Sequence, residues 1–122
     1  MGEERRHFLR VAGRLTTILT LPKTGKVQRA LTKNISAGGL ALITEAVLPP
    51  GTPLELEIRL PDRATPLTLT AEVVWSRSTG VATKRYEPPP AETGVRFVHI
   101  HPQDQTLLIQ YARLNAPVSP DG

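Results

Sequence analysis

The clearest pattern in the chain is a strict alternation of aliphatic and charged residues from Leu54 to Leu60. A period of two is typical of an antiparallel strand that has one face in a core and the other in water. After a turn at residues 61–63, the alternation returns from Leu67 to Trp75. It predicts a second long strand that pairs with the first. By this alternation the side chain of Trp75 falls on the buried face.

Four further segments, rich in apolar and β-branched residues, predict shorter strands. They are Leu15 to Leu21, Val27 to Thr32, Leu40 to Thr44 and Val95 to His99. After Pro102 the period changes, because Leu107, Leu108, Tyr111 and Leu114 share one helical face. Many short strands followed by one helix predict an all-β fold. The expected architecture is a six-stranded antiparallel β-barrel with a C-terminal α-helix over an open end or edge.

The chain divides into three parts by composition. Residues 1–10 predict a flexible basic arm, residues 11–114 the barrel with its helix, and residues 115–122 a frayed tail. Between the last two strands, Arg77 to Glu92 contains few apolar residues and three consecutive prolines. This gap predicts either a mobile loop or a surface for a protein partner.

Composition narrows the possible functions. A length of 122 residues predicts one domain with a real core, and the absence of cysteine excludes disulfides and thiolate metal sites. No apolar run is long enough to span a membrane, and the charged N-terminus is unlike a signal peptide, so we expect a cytoplasmic protein. The net charge is +4, and eight of the fifteen basic residues lie in the first 34 positions. An anionic partner near that end is therefore expected.

Two short stretches carry candidate chemistry. The first, Asn34 to Gly39, offers an amide, a hydroxyl and two glycines between two predicted strands. The second is the basic run Arg5 to Arg10. Taken singly, the first stretch can be interpreted as a polar turn and the second as a solvated tail.

Metal binding and catalysis find no support in the spacing of polar residues. The three histidines, His7, His99 and His101, form no metal-binding spacing with any carboxylate cluster. No nucleophile–base pair or paired acid site is evident, so we do not expect an enzyme.

Taken together, the two stretches resemble the PilZ domain, the bacterial receptor module for cyclic di-GMP. The RxxxR motif of that family matches Arg6 to Arg10, and its [D/N]xSxxG motif matches Asn34 to Gly39. Two weaker features also fit, a strand that ends in Val-Val-Trp at Trp75 and a Gly-Val-Arg-Phe segment before the terminal helix. The resemblance extends from about Arg5 to Leu114 and implies a six-stranded barrel with a C-terminal helix. It also suggests a stand-alone single-domain member.

The resemblance implies a ligand, cyclic di-GMP, and no cofactor. By resemblance, Arg6 and Arg10 bind guanine and phosphate, and Asn34 and Ser36 bind guanine. This division suits the chemistry, because an arginine fork matches the two acceptors of the guanine Hoogsteen edge, whereas the opposite edge needs acceptors. Gly39 would leave room for the ligand near the backbone.

Two further residues enter the predicted site through the resemblance. An arginine directly before RxxxR, here Arg5, accompanies binding of a stacked pair of ligand molecules in the family. An aromatic residue sometimes lies beside the bound base, and Trp75 could take that place instead of a place in the core.

The expected mechanism is a ligand-gated switch in which the arginine arm folds over the barrel when ligand binds. Since the sequence shows no second domain, we expect the output to be a separate, unidentified protein partner. Two alternatives remain open: a PilZ-like adaptor that binds no ligand, and a β-barrel that binds nucleic acid through the basic arm. Only five aromatic residues occur, which disfavours the nucleic-acid alternative.

Overall fold

A computed structural model describes residues 9–36, 38–80 and 89–115. Its elements in chain order are β1 (Leu9–Leu21), β2 (Lys26–Ile35), β3 (Gly39–Thr44), β4 (Pro53–Ile58), β5 (Leu67–Ser78), β6 (Ala91–His99) and α1 (Pro102–Asn115). The strands form a closed barrel in the order β1-β2-β3-β6-β5-β4, and all neighbours are antiparallel. The predicted all-β barrel with a C-terminal helix is thereby confirmed, as is the pairing of the two alternating strands, β4 and β5.

The alternation of apolar residues fills the barrel interior. In β4 the three aliphatic side chains are at most 2% exposed, and the two glutamates between them face solvent. Four threonines are also buried, and in one pair of them the Oγ1 atoms of Thr17 and Thr32 lie 2.8 Å apart, so both hydroxyls have a partner in the core. Because the interior is filled by side chains, the outer surface of the barrel is where a ligand can bind.

Several strands are longer than the sequence pattern predicted. The first strand begins at Leu9 rather than Leu15, so Arg10 lies on a strand and not on an arm. The strand before the glycine turn continues to Ile35. On either side of the predicted loop, β5 continues to Ser78 and β6 begins at Ala91. The remainder of the predicted arm, loop and tail, residues 1–8, 81–88 and 116–122, lies outside the described residues.

Helix α1 packs on β1 and β2 through most of the predicted face. Leu108 and Ala112 are fully buried, and Leu107 and Tyr111 pack partly against the core. Leu114 is 84% exposed, so its predicted place on the packed face is wrong. The buried stripe ends one turn before the helix does. No helix in the described ranges has the length and apolar character that a membrane crossing requires.

The predicted burial of Trp75 is also wrong, because β5 contains a bulge. Val73 pairs with Val95 and Trp75 pairs with Gly94, so one extra residue lies between Val73 and Trp75. A bulge shifts the two-residue alternation by one position. The side chain of Trp75 therefore leaves the core and is 39% exposed. Ser76 takes the inward position, where its hydroxyl lies 2.8 Å from that of Thr93.

Candidate ligand-binding site

Asn34 and Ser36 lie on either side of a buried residue at the end of β2. Ile35 between them is fully buried, which fixes the strand's orientation. A register shift between Thr32 and Asn34 makes Lys33 the extra residue on this strand. Asn34 and Ser36 are half-buried and flank the inward-facing Ile35. The alternation of the strand thus places an amide and a hydroxyl on the outer surface.

Hydrogen bonds in the turn leave Ser36 as an acceptor. Its Oγ donates to the carbonyl oxygen of Gly39 at 3.2 Å, and its backbone N–H donates to the same oxygen at 2.9 Å. With its hydrogen engaged, the hydroxyl presents lone pairs outward. The side-chain amide of Asn34 forms no hydrogen bond with any residue that the structure describes. Both groups can therefore accept hydrogen bonds from the N–H groups of a base.

The two glycines of the motif have different surroundings. A Cβ atom at Gly39 would collide with the carbonyl oxygen of Val95 and would lie 3.1 Å from the Cα of Arg96. The absence of a side chain at Gly39 thus lets β3 approach β6, which is a packing reason for this glycine. A Cβ at Gly38 would meet nothing within 4 Å. Contact of a ligand with Gly39 stays a prediction.

Arg10 is the arginine of the RxxxR motif whose backbone the structure describes, and it pairs directly with Asn34. The two motifs, 24 positions apart in sequence, therefore meet across β1 and β2. Arg5 and Arg6 lie outside the described residues, so their predicted places in the site stay predictions.

One row of paired residues runs across five strands of the barrel. In order, the row consists of Arg10, Asn34, Ala41, Gly94 and Trp75. Neighbouring strands lie about 4.8 Å apart, so Asn34 and Trp75 stand at roughly three strand spacings from each other. Between them the row contains only the small residues Ala41 and Gly94. The backbones of the predicted residues Arg10, Asn34 and Trp75 thus lie along one band of the barrel.

Trp75 leans over Gly94 toward the centre of this band. A Cβ atom at Gly94 would collide with the indole ring, and Cζ2 of Trp75 would be 2.8 Å from it. The absence of a side chain at Gly94 therefore lets the indole ring pack against the sheet at this position. The half-exposed indole forms one wall of the band, and Asn34 lies on the opposite side.

A chain of charged groups runs beside the row. Lys33 Nζ lies 2.8 Å from Glu92 Oε2, and Arg77 Nη2 lies 3.3 Å from Glu92 Oε1. The hydrogen bond from Lys33 is the main reason why the pKa of Glu92 is lowered from 4.5, and the positive charge of Arg77 adds to the effect. The guanidinium of Arg77 also stands 5.3 Å from the centroid of the Trp75 ring.

These three charged residues belong to neither sequence motif. Arg77 and Glu92 were assigned to the ends of a loop, whereas they form a cross-strand pair of β5 and β6. A signal was present in the sequence, because Arg77 follows Trp75 by two positions and so shares its strand face. Lys33 is displaced by the β2 bulge, which the alternation does not reveal.

Two grooves of the described residues lie elsewhere on the barrel. One of about 780 Å³ covers β2 and β3 near Val27 and Arg29, and one of about 660 Å³ covers β1, β4 and β5 near Glu57. Neither includes Asn34 or Trp75. Among the residues described, no cluster of three or more His, Asp or Glu side chains could hold a metal ion. The acceptors Asn34 and Ser36, with the indole of Trp75 across the band, suit a heteroaromatic base.

Comparison with protein families gives one match that covers most of the chain. The model of the PilZ domain matches residues 4–114. The chain belongs to the PilZ family. Comparison with curated protein sequences finds no match.

Solved PilZ structures share this fold. The inhibitor of motility MotI/DgrA of Bacillus subtilis is 24% identical with a TM-score of 0.71, and the match covers 92% of this chain and 51% of that protein. The PilZ domain of YcgR from Escherichia coli, solved with c-di-GMP, is 16% identical with a TM-score of 0.68, and 92% of each chain is covered. PlzA of Borreliella burgdorferi, in complex with c-di-GMP, is 10% identical with a TM-score of 0.58, and the match covers 94% of this chain and 55% of that protein. The chain thus spans about half the length of MotI/DgrA and of PlzA.

Proposed function

We propose that this chain is a receptor for cyclic di-GMP that acts as an adaptor for a protein partner. The observation that carries the proposal is the register of β1 on β2, in which Arg10 of one motif pairs with Asn34 of the other. PilZ proteins are receptors and adaptors rather than enzymes, and YcgR and PlzA are solved with this ligand. The net charge of +4 favours a dianionic ligand.

In the proposed complex each group has a separate task. Arg6 and Arg10 bind guanine and phosphate, because the guanidinium fork matches both partners. Asn34 and Ser36 accept hydrogen bonds from the Watson–Crick edge of guanine, which presents N–H donors. Trp75 lies beside a bound base and offers it an apolar face.

Ligand binding would also order the chain before β1. Arg5 and Arg6 precede a strand that already carries Arg10, so the ordering we propose is confined to the first eight residues. A disorder-to-order change of this size alters the surface presented to a partner at a cost in conformational entropy. Arg5 would support binding of a second, stacked ligand molecule.

Substitution of Arg10 tests the proposal most simply. Arg10→Ala should cost about 2–4 kcal/mol of binding free energy, which is about 30-fold or more in Kd, because a buried charged contact loses one partner. Arg63→Ala is the matched control: Arg63 is exposed in the turn between β4 and β5 and forms no ion pair within the described part of the chain. Equal affinities of the two variants for cyclic di-GMP would refute the assignment of Arg10.

A further inference from the structure

Among the charged groups beside the site, Lys33 and Glu92 are held closely together, whereas Arg77 is more exposed and more loosely attached. Lys33 and Glu92 are each only 23% exposed, and their 2.8 Å contact is short. The Arg77 side chain is 72% exposed, and its contact with Glu92 is 3.3 Å. Glu92 is therefore held mainly by Lys33, and Arg77 is attached to it more loosely.

Arg77 retains most of its hydrogen-bonding capacity. A guanidinium has five N–H donors, and the contact with Glu92 uses one nitrogen. The group also stands 5.3 Å from the ring centroid of Trp75, within the range of a cation–π interaction. These two contacts restrain a solvent-exposed arginine at the edge of the band, with donors left for a further acceptor.

The position of Arg77 favours an anionic acceptor beside the row. The pair Arg77 and Glu92 lies two residues along the strands from the pair Trp75 and Gly94, so it borders the row that contains Asn34. Lys33 directly precedes Asn34. Two cations and one carboxylate leave one positive charge beside the band, and that charge is concentrated on the more exposed arginine.

We propose that Arg77 is a further ligand-binding residue, which donates to a phosphate of the bound cyclic dinucleotide while it rests on Trp75, and that Glu92, held by Lys33, is the residue that positions it. This inference rests on the proposed function. It extends the site from the two motifs to the far strands of the row.

The direction in which neutralisation of Glu92 changes the ligand affinity distinguishes two roles for this residue. If Glu92 only competed with the ligand for cations, its neutralisation would strengthen binding, because the site would gain a positive charge. If it positions Arg77, its neutralisation weakens binding in spite of that gain. The two roles therefore predict opposite changes in Kd for Glu92→Gln.

The first test compares Arg77→Ala with the control Arg63→Ala, which removes the same charge far from the row. We expect Arg77→Ala to bind cyclic di-GMP about ten-fold more weakly, as for one lost charge-assisted hydrogen bond, and Arg63→Ala to bind like the wild type. Calorimetric titration gives Kd. The emission of Trp75, the single tryptophan of the chain, gives an independent binding curve.

The second test is a double-mutant cycle. Glu92→Gln should weaken binding about three-fold in the wild type but should not weaken it in the Arg77→Ala background, because the residue that it positions is gone. Equal Kd values for Arg77→Ala and wild type overturn the inference and leave the proposed function standing. Tighter binding by Glu92→Gln, or the same loss in both backgrounds, overturns the positioning role. A wild-type protein that does not bind cyclic di-GMP overturns the proposed function and the inference together.

Discussion

A methyl group at Gly39 should destabilise the barrel, whereas the same change at Gly38 should not. The Cβ of Gly39→Ala would meet the Val95 carbonyl oxygen and lie 3.1 Å from the Cα of Arg96. These are backbone atoms of a paired strand, so they cannot rotate away as a side chain would. The β3–β6 ladder must open locally to admit the methyl group.

The cost follows from two contributions. Overpacking of a well-packed region costs about 1–3 kcal/mol, and weakening of the neighbouring 2.9 Å hydrogen bond from Phe97 N–H to the Gly38 carbonyl adds about 0.5–1.5 kcal/mol. We therefore expect Gly39→Ala to lower the unfolding free energy by about 2–4 kcal/mol. Gly38→Ala meets open space and should stay within about 0.5 kcal/mol of wild type.

Urea denaturation, followed by the emission of Trp75, measures both variants in one assay. The result expected for Gly39→Ala is a clear fall in the denaturation midpoint with an unchanged slope. If Gly39→Ala unfolds at the same urea concentration as Gly38→Ala, the packing explanation is refuted. In that case the requirement for glycine would have to come from the ligand.

Three further outcomes follow from single contacts. Thr32→Val leaves the Thr17 hydroxyl in the core without its 2.8 Å partner and should cost about 1 kcal/mol of unfolding free energy, measured in urea. Because the pKa of Glu92 is lowered in the folded state, chiefly by Lys33, its contribution to stability is present above about pH 4.5 and is lost as the pH falls through the folded-state pKa. Glu92→Gln should therefore show a weaker acid-induced loss of stability than the wild type, and parallel pH profiles would contradict this. Ser36→Ala keeps the backbone hydrogen bond of its turn, so it should bind cyclic di-GMP about ten-fold more weakly with little change in melting temperature; a large drop in melting temperature would instead indicate a structural role.

Hydrophobic alternation was sufficient to predict the barrel, because each strand buries one face and turn residues separate the strands. The six strands, their antiparallel arrangement and the terminal helix all follow from that pattern. The residues at which the strands begin and end could not be predicted from the alternation. Near Ser78 the chain continues as strand through polar residues, which the barrel holds by backbone pairing with β6 and not by burial, and at the other end β1 begins at Leu9, where it pairs with β2.

The bulges account for most of the remaining differences. Alternation assigns Trp75 to the core, but one extra residue in β5 turns it outward, and nothing in the local composition marks that residue. The bulge in β2 displaces Lys33 in the same way. The motifs themselves could be found from sequence, whereas the charged contacts of Glu92 depend on cross-strand register, which the sequence does not display. Leu114 was misplaced because the helix extends beyond the barrel that buries its earlier turns.

Isothermal titration of the purified protein with cyclic di-GMP, with GTP and single-stranded DNA as controls, is the direct test of whether this chain is a receptor for the cyclic dinucleotide. We expect saturable binding of the cyclic dinucleotide and no binding of the controls, with two ligands per chain if Arg5 supports a stacked pair. Absence of binding by cyclic di-GMP would contradict the receptor function and favour an adaptor that binds no ligand. Binding of single-stranded DNA with a steep salt dependence would favour the nucleic-acid alternative.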